Sequence, residues 1–418
     1  MELKIPKRPV VIKNEDFQTI IVRVMFPFFD KEEYLTKMSI LPNLLMYMND
    51  KYPTEDEFQK NRKKKYILST SCSKMTVGKN MCLCFSLVIP DVDALGFDNL
   101  DEQFEFFHEM IYNPKIIDGG FDQNEVIREK RNLAMSIDNA MKNLRPYQSV
   151  KGLELIDDEG ILSMTIENHR EQLDDVNPIN MYELYKEVIS AYHPAVFVFG
   201  NVDEERINSL ADKYLYKKLS DKFSIEKSYS HFLSVKNNDT KYVEEEKEFK
   251  DSSISFYYKI KDMSEDDFTK LSLVRGLLSS LSSRLLNKKL RDENDLVYSS
   301  KVLAYLRFGV FEITAYINKD NKDIVIEKIK EVMEDIKNPD NIREMLDNVK
   351  ERRRVALIKS LDDKFTLLSD VVLEKLDVEK NMKDNYEEAL QISAEDISSF
   401  VDRFVLDTIY FIKEGSHE

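Results

Sequence analysis

Residues 252–260 read SSISFYYKI, and residues 18–28 read QTIIVRVMFPF. Alternation and β-branched or aromatic content mark both as strands. Residues 19–26 match 253–260 at an offset of 234. Outward from this pair, the two halves of the chain keep matching. An apolar helical stretch ends at Asn113-Pro114 in one half and at Asn338-Pro339 in the other, an offset of 225. A short buried-looking strand closes each half, 196–199 and 409–412, an offset of 213. Proline after a helix is common and recurs by chance. Three landmarks in one order nevertheless predict a duplication, with a second copy that has lost loop residues.

The other elements fill in the same frame. In the first half, strands are predicted over 66–76 and 81–90, and helices over 31–48, 55–65, 100–112, 121–143 and 179–191. The strand Ala195–Gly200 leads to a helix beginning near Glu204, with Asp203 as its cap. In the second half, a helix is predicted across 264–288, strands over 297–305 and 309–317, helices over 322–337, 340–361, 364–376 and 393–403, and a last strand over 408–412. Strands in runs and helices in runs predict an α+β fold: two homologous domains, each a mainly antiparallel sheet backed by helices. The expected division is a first domain over 1–216, a polar linker over 217–244 with one short strand, and a second domain over 245–418. The acidic run Glu244–Glu246 reads as solvated surface. Two such domains facing each other would enclose a space suited to a substrate.

Composition agrees and excludes several classes. A chain of 418 residues exceeds what one core holds, about 250–300. Lys and Arg number 61 against 77 Asp and Glu, a net charge of −16, which argues against nucleic-acid binding. Only 10 residues are glycine, and neither nucleotide-binding glycine fingerprint occurs. Three cysteines, Cys72, Cys82 and Cys84, do not make a disulfide framework. Cys82 and Cys84 fall on one face of a strand and read as buried thiols. No apolar run reaches the ~18–20 residues of a membrane span, and residues 1–16 lack a signal-peptide core. A cytoplasmic location without a membrane is expected.

Metal and nucleophile motifs are missing. The five histidines are His108, His169, His193, His231 and His417, and no two lie within four residues. A zinc site needs several converging ligands, typically two from one local turn. No His-Glu-x-x-His, His-x-x-Glu-His, Cys-x-x-Cys or Gly-x-Ser-x-Gly is present. His108 and His193 read as structural. The basic run Arg62–Lys65 reads as the positive end of a helix. The most informative stretch is LLSSLSSRLLNKKLRDENDLVYSS, residues 277–300. Arg291 and Tyr298 flank a helix-to-strand turn, and both carry donors able to hold a carbonyl. From spacing alone, an Arg paired with a nearby Asp and a Tyr packed in the sheet is the better reading.

These motifs, in order, resemble the pitrilysin/insulinase family of metallopeptidases. Ser283-Arg284-Leu285, then Leu290-Arg291 and, seven residues on, Tyr298 match the second-domain substrate motif of that family. VFVFGNVDEERI at 196–207 resembles the close of its first domain, and Tyr52-Pro53 resembles the stretch that follows its metal motif. The resemblance covers nearly the whole chain and implies repeated α+β domains that close like a clamshell. It also exposes a departure. Where the family carries His-x-x-Glu-His, this chain has Ser39, Pro42 and Asn43, and the downstream family glutamate falls around Glu125–Glu129. Serine, proline and asparagine cannot together bind zinc and activate water.

The resemblance therefore implies a non-catalytic subunit of the bacterial type, inactive alone, with no cofactor on this chain. Zinc would sit on a catalytic insulinase-family subunit in a heterodimer. Arg291 and Tyr298 would hold the peptide substrate. The rival expectation is a peptide-binding chaperone or scaffold without peptidase activity. An enzyme working through carboxylates alone is disfavoured, because no convergent cluster is visible.

Overall fold

The structure is a computed structural model and describes residues 2–29, 31–77, 80–157, 160–216, 220–226, 230–236, 239–279, 285–376 and 380–415. The chain divides into two compact units. One comprises Met1–Ile137, His169–Tyr229 and Leu361–Asn381, the other Asp138–Asn168, Ser230–Ser360 and Met382–Glu418.

The first unit contains β1 (Glu2–Lys4), β2 (Val10–Lys13), β3 (Thr19–Phe29), β4 (Ser69–Val77), β5 (Asn80–Pro90), β6 (Ala195–Gly200) and β7 (Ser224–Glu226). Five of them form a sheet in the order β2-β6-β3-β5-β4, and β1 pairs separately with β7. The β2–β6 pair is parallel and the other pairs of that sheet are antiparallel. The second unit contains β8 (Lys241–Lys247), β9 (Ser252–Ile260), β10 (Val297–Tyr305), β11 (Val310–Ile317) and β12 (Phe404–Glu414). Their order is β8-β12-β9-β11-β10, again with one parallel pair, β8–β12. Strand for strand the two orders are identical, so the duplication read from three landmarks is written in the topology.

Each central strand is buried on both faces. In β9, Ile254, Phe256, Tyr258 and Ile260 join the main core, against Leu271, Val274, Ile329 and Leu346 of helices that follow in the same half. The alternate residues Ser255 and Tyr257 face the other way, as a two-residue period requires. That second face is covered by the helix Leu144–Ile156, through Leu153 and Ile156. In the first unit the equivalent face, with Ile21, Met25, Cys82, Cys84, Phe197 and Phe199, is covered by Leu368, Val372 and Leu376 of the segment led by helix Lys364–Lys375. Burying each such side chain stabilises by about 1.5–3 kcal/mol. Each half of the sequence thus gives one helix to the sheet of the other half.

This exchange makes the units discontinuous, unlike the contiguous division 1–216, 217–244 and 245–418, which follows the repeats along the chain. Within the expected linker, Ser224–Glu226 is strand β7, and β8 begins at Lys241. Glu244–Glu246 lies in β8, the edge strand. Glu244 and Glu246 point outward there, and charge on an edge discourages further pairing. The helices Leu144–Ile156 and Met382–Gln391 and the single turn Val92–Leu95 are not among those expected from periodicity. Among the described residues, no helix is long and apolar enough to cross a membrane.

Candidate functional site

Ser39, Pro42 and Asn43 lie on one helix, Leu35–Leu44, in the first unit. Pro42 has no N–H to give the helix, and the helix ends two residues later with Leu45 N donating to the Pro42 carbonyl at 3.3 Å. The helix Gln123–Met141 lies beside it and carries Glu125, Arg128 and Glu129. Asn43 Nδ2 donates to Glu129 Oε2 at 2.9 Å, and Arg128 Nε donates to Glu129 Oε1 at 3.1 Å. Arg128 also pairs with Glu125. Ser39 Oγ donates to the Leu35 carbonyl at 2.9 Å and accepts from Lys74 Nζ of β4 at 3.4 Å.

The structure therefore brings Asn43, expected at a degenerate motif position, to Glu129, which lies in the stretch where the resemblance places the downstream family glutamate. It uses them as a hydrogen-bonded pair. The donor set does not fit zinc. One carboxylate is already held by an amide and a guanidinium, proline has no ligand atom, and the Lys74 ammonium adds a second positive charge beside Ser39. Among the described residues, no group of three His, Cys, Asp or Glu is disposed to hold a metal ion.

The remaining candidate groups are structural. Cys72, Cys82 and Cys84 are buried free thiols, and burial pushes all three up from the ordinary thiol range. His108 Nδ1 meets the Tyr214 carbonyl at 2.6 Å. His193 is stacked against Tyr216 and Phe223, and burial holds its pKa below the ordinary imidazole value. His417, Ser283 and Arg284 lie outside the described residues.

Arg291 and Tyr298 open onto two adjoining clefts of the second unit. The turn between them starts from the short helical segment Lys288–Asp292 and feeds β10. Asp295 takes a positive φ of 50° in the turn, a backbone state that Asp tolerates better than most residues. Arg291 lines a cleft of about 730 Å³ together with Arg145, Asn287, Ser299, Lys301 and Tyr316. Tyr298, 59% exposed, lines a second of about 550 Å³. Arg145, Pro146, Ser299 and Tyr316 belong to both walls. The Arg291 guanidinium has no side-chain partner among the described residues, so the salt-bridged alternative does not hold for it. Tyr298 is not packed into the sheet.

Arg145 stands at the N-terminal end of the exchanged helix. Its Nη2 donates to Ser299 Oγ at 3.0 Å, and its guanidinium carbon sits 4.5 Å from the Tyr316 ring centroid. Burial raises the Tyr316 hydroxyl above the ordinary tyrosine value, and the Arg145 charge opposes that rise. A buried polar chain runs beneath. Gln148 Nε2 donates to Ser255 Oγ, Ser255 meets Thr314 Oγ1 at 2.9 Å, and Thr314 donates to Glu312 Oε1 at 2.7 Å. Glu312 is fully buried and also accepts from Tyr305 at 2.8 Å, with Lys301 Nζ at 3.8 Å. Burying a carboxyl group is costly unless donors such as these satisfy its oxygens.

Arg145 and this chain escaped the sequence reading because their helix did. Its apolar residues Val150, Leu153 and Ile156 are spaced by three, but buried Gln148 and Gly152 interrupt the apolar face. Pro146 in the first turn was the available start signal.

Residues 175–351 match the family described as Peptidase M16 inactive domain. A Bacillus subtilis (strain 168) protein named probable inactive metalloprotease YmfF is 21% identical over 412 residues, covering 96% of this chain and 95% of that one. A conserved protein of Enterococcus faecalis V583 superposes with a TM-score of 0.87 at 19% identity, over 98% of this chain and 96% of that one. A protease from Helicobacter pylori superposes with a TM-score of 0.74 at 14% identity, over 99% of each chain.

Proposed function

The chain is a homologue of the pitrilysin/insulinase (M16) peptidases with Ser39, Pro42 and Asn43 at the metal-motif positions, and from that premise we infer that it is the non-catalytic, substrate-binding subunit of a heterodimeric zinc peptidase. The observation that carries this reading is a contrast between the two units. At the motif positions, Asn43 is spent on Glu129. In the second unit, Arg291 and Tyr298 line adjoining clefts, and neither side chain has a hydrogen-bond partner among the described residues.

In this reading zinc and its activated water belong to a partner chain bearing His-x-x-Glu-His. As an amide carbonyl becomes tetrahedral, negative charge grows on its oxygen. Donors fixed around that oxygen stabilise the transition state more than the ground state. Arg291 supplies a charged donor and Tyr298 a hydroxyl. The helix-to-strand turn fixes their spacing, so little reorganisation is needed during the reaction.

The test is copurification of the chain from its native host, with mass spectrometry and zinc analysis of the complex. The expected result is a stoichiometric partner of similar length that contains His-x-x-Glu-His and holds the zinc. Isolation of the chain with peptides but no such partner would favour a chaperone or scaffold instead. One tightly held zinc on the isolated chain, lost on chelation together with peptidase activity, would overturn the reading.

A further inference from the structure

The larger cleft of the second unit concentrates positive charge in a strongly acidic protein. Its described lining carries Arg145, Arg291 and Lys301 and no carboxylate. The buried Glu312 lies 3.8 Å from Lys301 and offsets that one cation. Neither the Arg145 nor the Arg291 guanidinium makes an ion pair with a carboxylate among the described residues; Glu248 and Asp251 line the adjoining cleft, on the other side of the wall that Arg145 shares. Arg145 is also held in place, by Ser299 Oγ at 3.0 Å and by the Tyr316 ring. A planar fork fixed in this way is preorganised for a carboxylate, with less rotamer freedom left to lose on binding.

The rest of the wall narrows the ligand. Pro146, Val297 and Val302 give it apolar surface, and Ser149, Ser300 and Asn287 give it hydroxyl and amide groups. A volume of about 730 Å³ falls within the range of small-ligand pockets, about 300–1,000 Å³. Mixed lining of this kind suits a few residues of peptide bearing one negative charge. A small polyanion such as phosphate would leave the apolar wall of Pro146, Val297 and Val302 uncovered.

We propose that this cleft recognises a carboxylate of the bound peptide, from an acidic side chain or a free C-terminus, with Arg145 as the specificity-determining residue. The proposal rests on the peptide-binding reading and adds a substrate class to it. Arg145 comes from the first half of the sequence and Arg291 from the second, so the helix exchange is what completes the site. Arg291 lines the same cleft as Arg145, and Arg145 and Ser299 form part of the wall shared with the cleft of Tyr298.

Isothermal titration of the full chain with three versions of one alanine- and phenylalanine-containing heptapeptide tests this. One carries a central glutamate and a C-terminal amide, one a central glutamine and a free C-terminus, and one a central glutamine and an amide. At least one charged peptide is expected to bind about tenfold or more tighter than the neutral one, the scale of a charge-assisted hydrogen bond. Which charged peptide gains identifies the source of the carboxylate. Arg145→Gln is expected to abolish the preference, and Arg145→Lys to restore part of it while keeping the charge. Equal binding of all three, or a preference that survives Arg145→Gln, overturns the proposal and leaves peptide binding intact. Failure of every peptide to bind up to about 1 mM counts against the peptide-binding reading itself, and the proposal falls with it.

Discussion

Gly152 shows how closely the exchanged helix lies on its sheet. A Cβ there would overlap the Tyr257 hydroxyl and ring. Gly152→Ala is therefore expected to destabilise the protein by about 1–3 kcal/mol despite alanine's better helix propensity, because overpacking outweighs it. Thermal unfolding measures this, and an unchanged or raised midpoint would mean that the helix can move away. At the far end of the same sheet, Arg403 Nη2 donates to Asp267 Oδ2 at 2.9 Å and Nη1 to Oδ1 at 3.2 Å. Burial alone would raise the Asp267 carboxyl. Arg403, the Ser264 N–H and Lys270 together outweigh it and hold the carboxyl below the ordinary value. The stabilisation is present above the unfolded carboxyl range, about pH 4, and is lost as pH falls through the lowered folded value. Arg403→Gln is expected to cost about 1.5–3 kcal/mol near pH 7 and clearly less near pH 3. A cost that does not change with pH would assign the loss to packing.

At the scale of elements, the helix Lys364–Lys375 tests the exchange. Leu368→Ala is expected to cost about 2–5 kcal/mol. Hydrogen exchange should then lose protection in β3 and β6, which lie far away in sequence, while β9 and β11 stay protected. Loss confined to β9–β12 would contradict the assignment of this helix to the first sheet. The same elements show what was legible. Strands such as 252–260 and 297–305 were readable because alternation and β-branched residues survive without knowledge of neighbours. The helix Leu144–Ile156 was not, because buried Gln148 and Gly152 make sense only against Ser255 and Tyr257 of a strand about 100 residues on. Ser39, Pro42 and Asn43 were singled out by counting back from Tyr52-Pro53 in the family resemblance. That Asn43 bonds Glu129 rather than standing free required the second helix in place. Arg145 lacked any local signal, since its role depends on the cleft that the exchange builds.

For the whole molecule, the topology repeats while the side-chain chemistry of the two units differs. Both sheets have the same strand order, and in the first unit Asn43 is bonded to Glu129 at the positions where the resemblance places a metal motif. A protein retained for substrate binding would keep the fold and the Arg291 and Tyr298 donors while the ligands drift. A consequence is that coexpressed fragments 1–216 and 245–418 should each remain poorly folded alone and recover structure together, because each sheet needs the other half's helix. Circular dichroism and gel filtration of the fragments check this, and an independently folded 245–418 fragment would contradict it.

The central claim is that donors on this chain act in a reaction whose metal lies on another. Steady-state peptide cleavage by the proposed heterodimer, reconstituted with Tyr298→Phe in this chain, tests it most directly. The change removes one hydroxyl from a side chain that is 59% exposed, so folding and assembly, monitored by pull-down, should be unaffected. Turnover is expected to fall by a factor of about 10²–10³ with assembly and zinc content intact. Wild-type turnover by the assembled mutant, and likewise by Arg291→Ala, would show that these donors do not take part in the reaction.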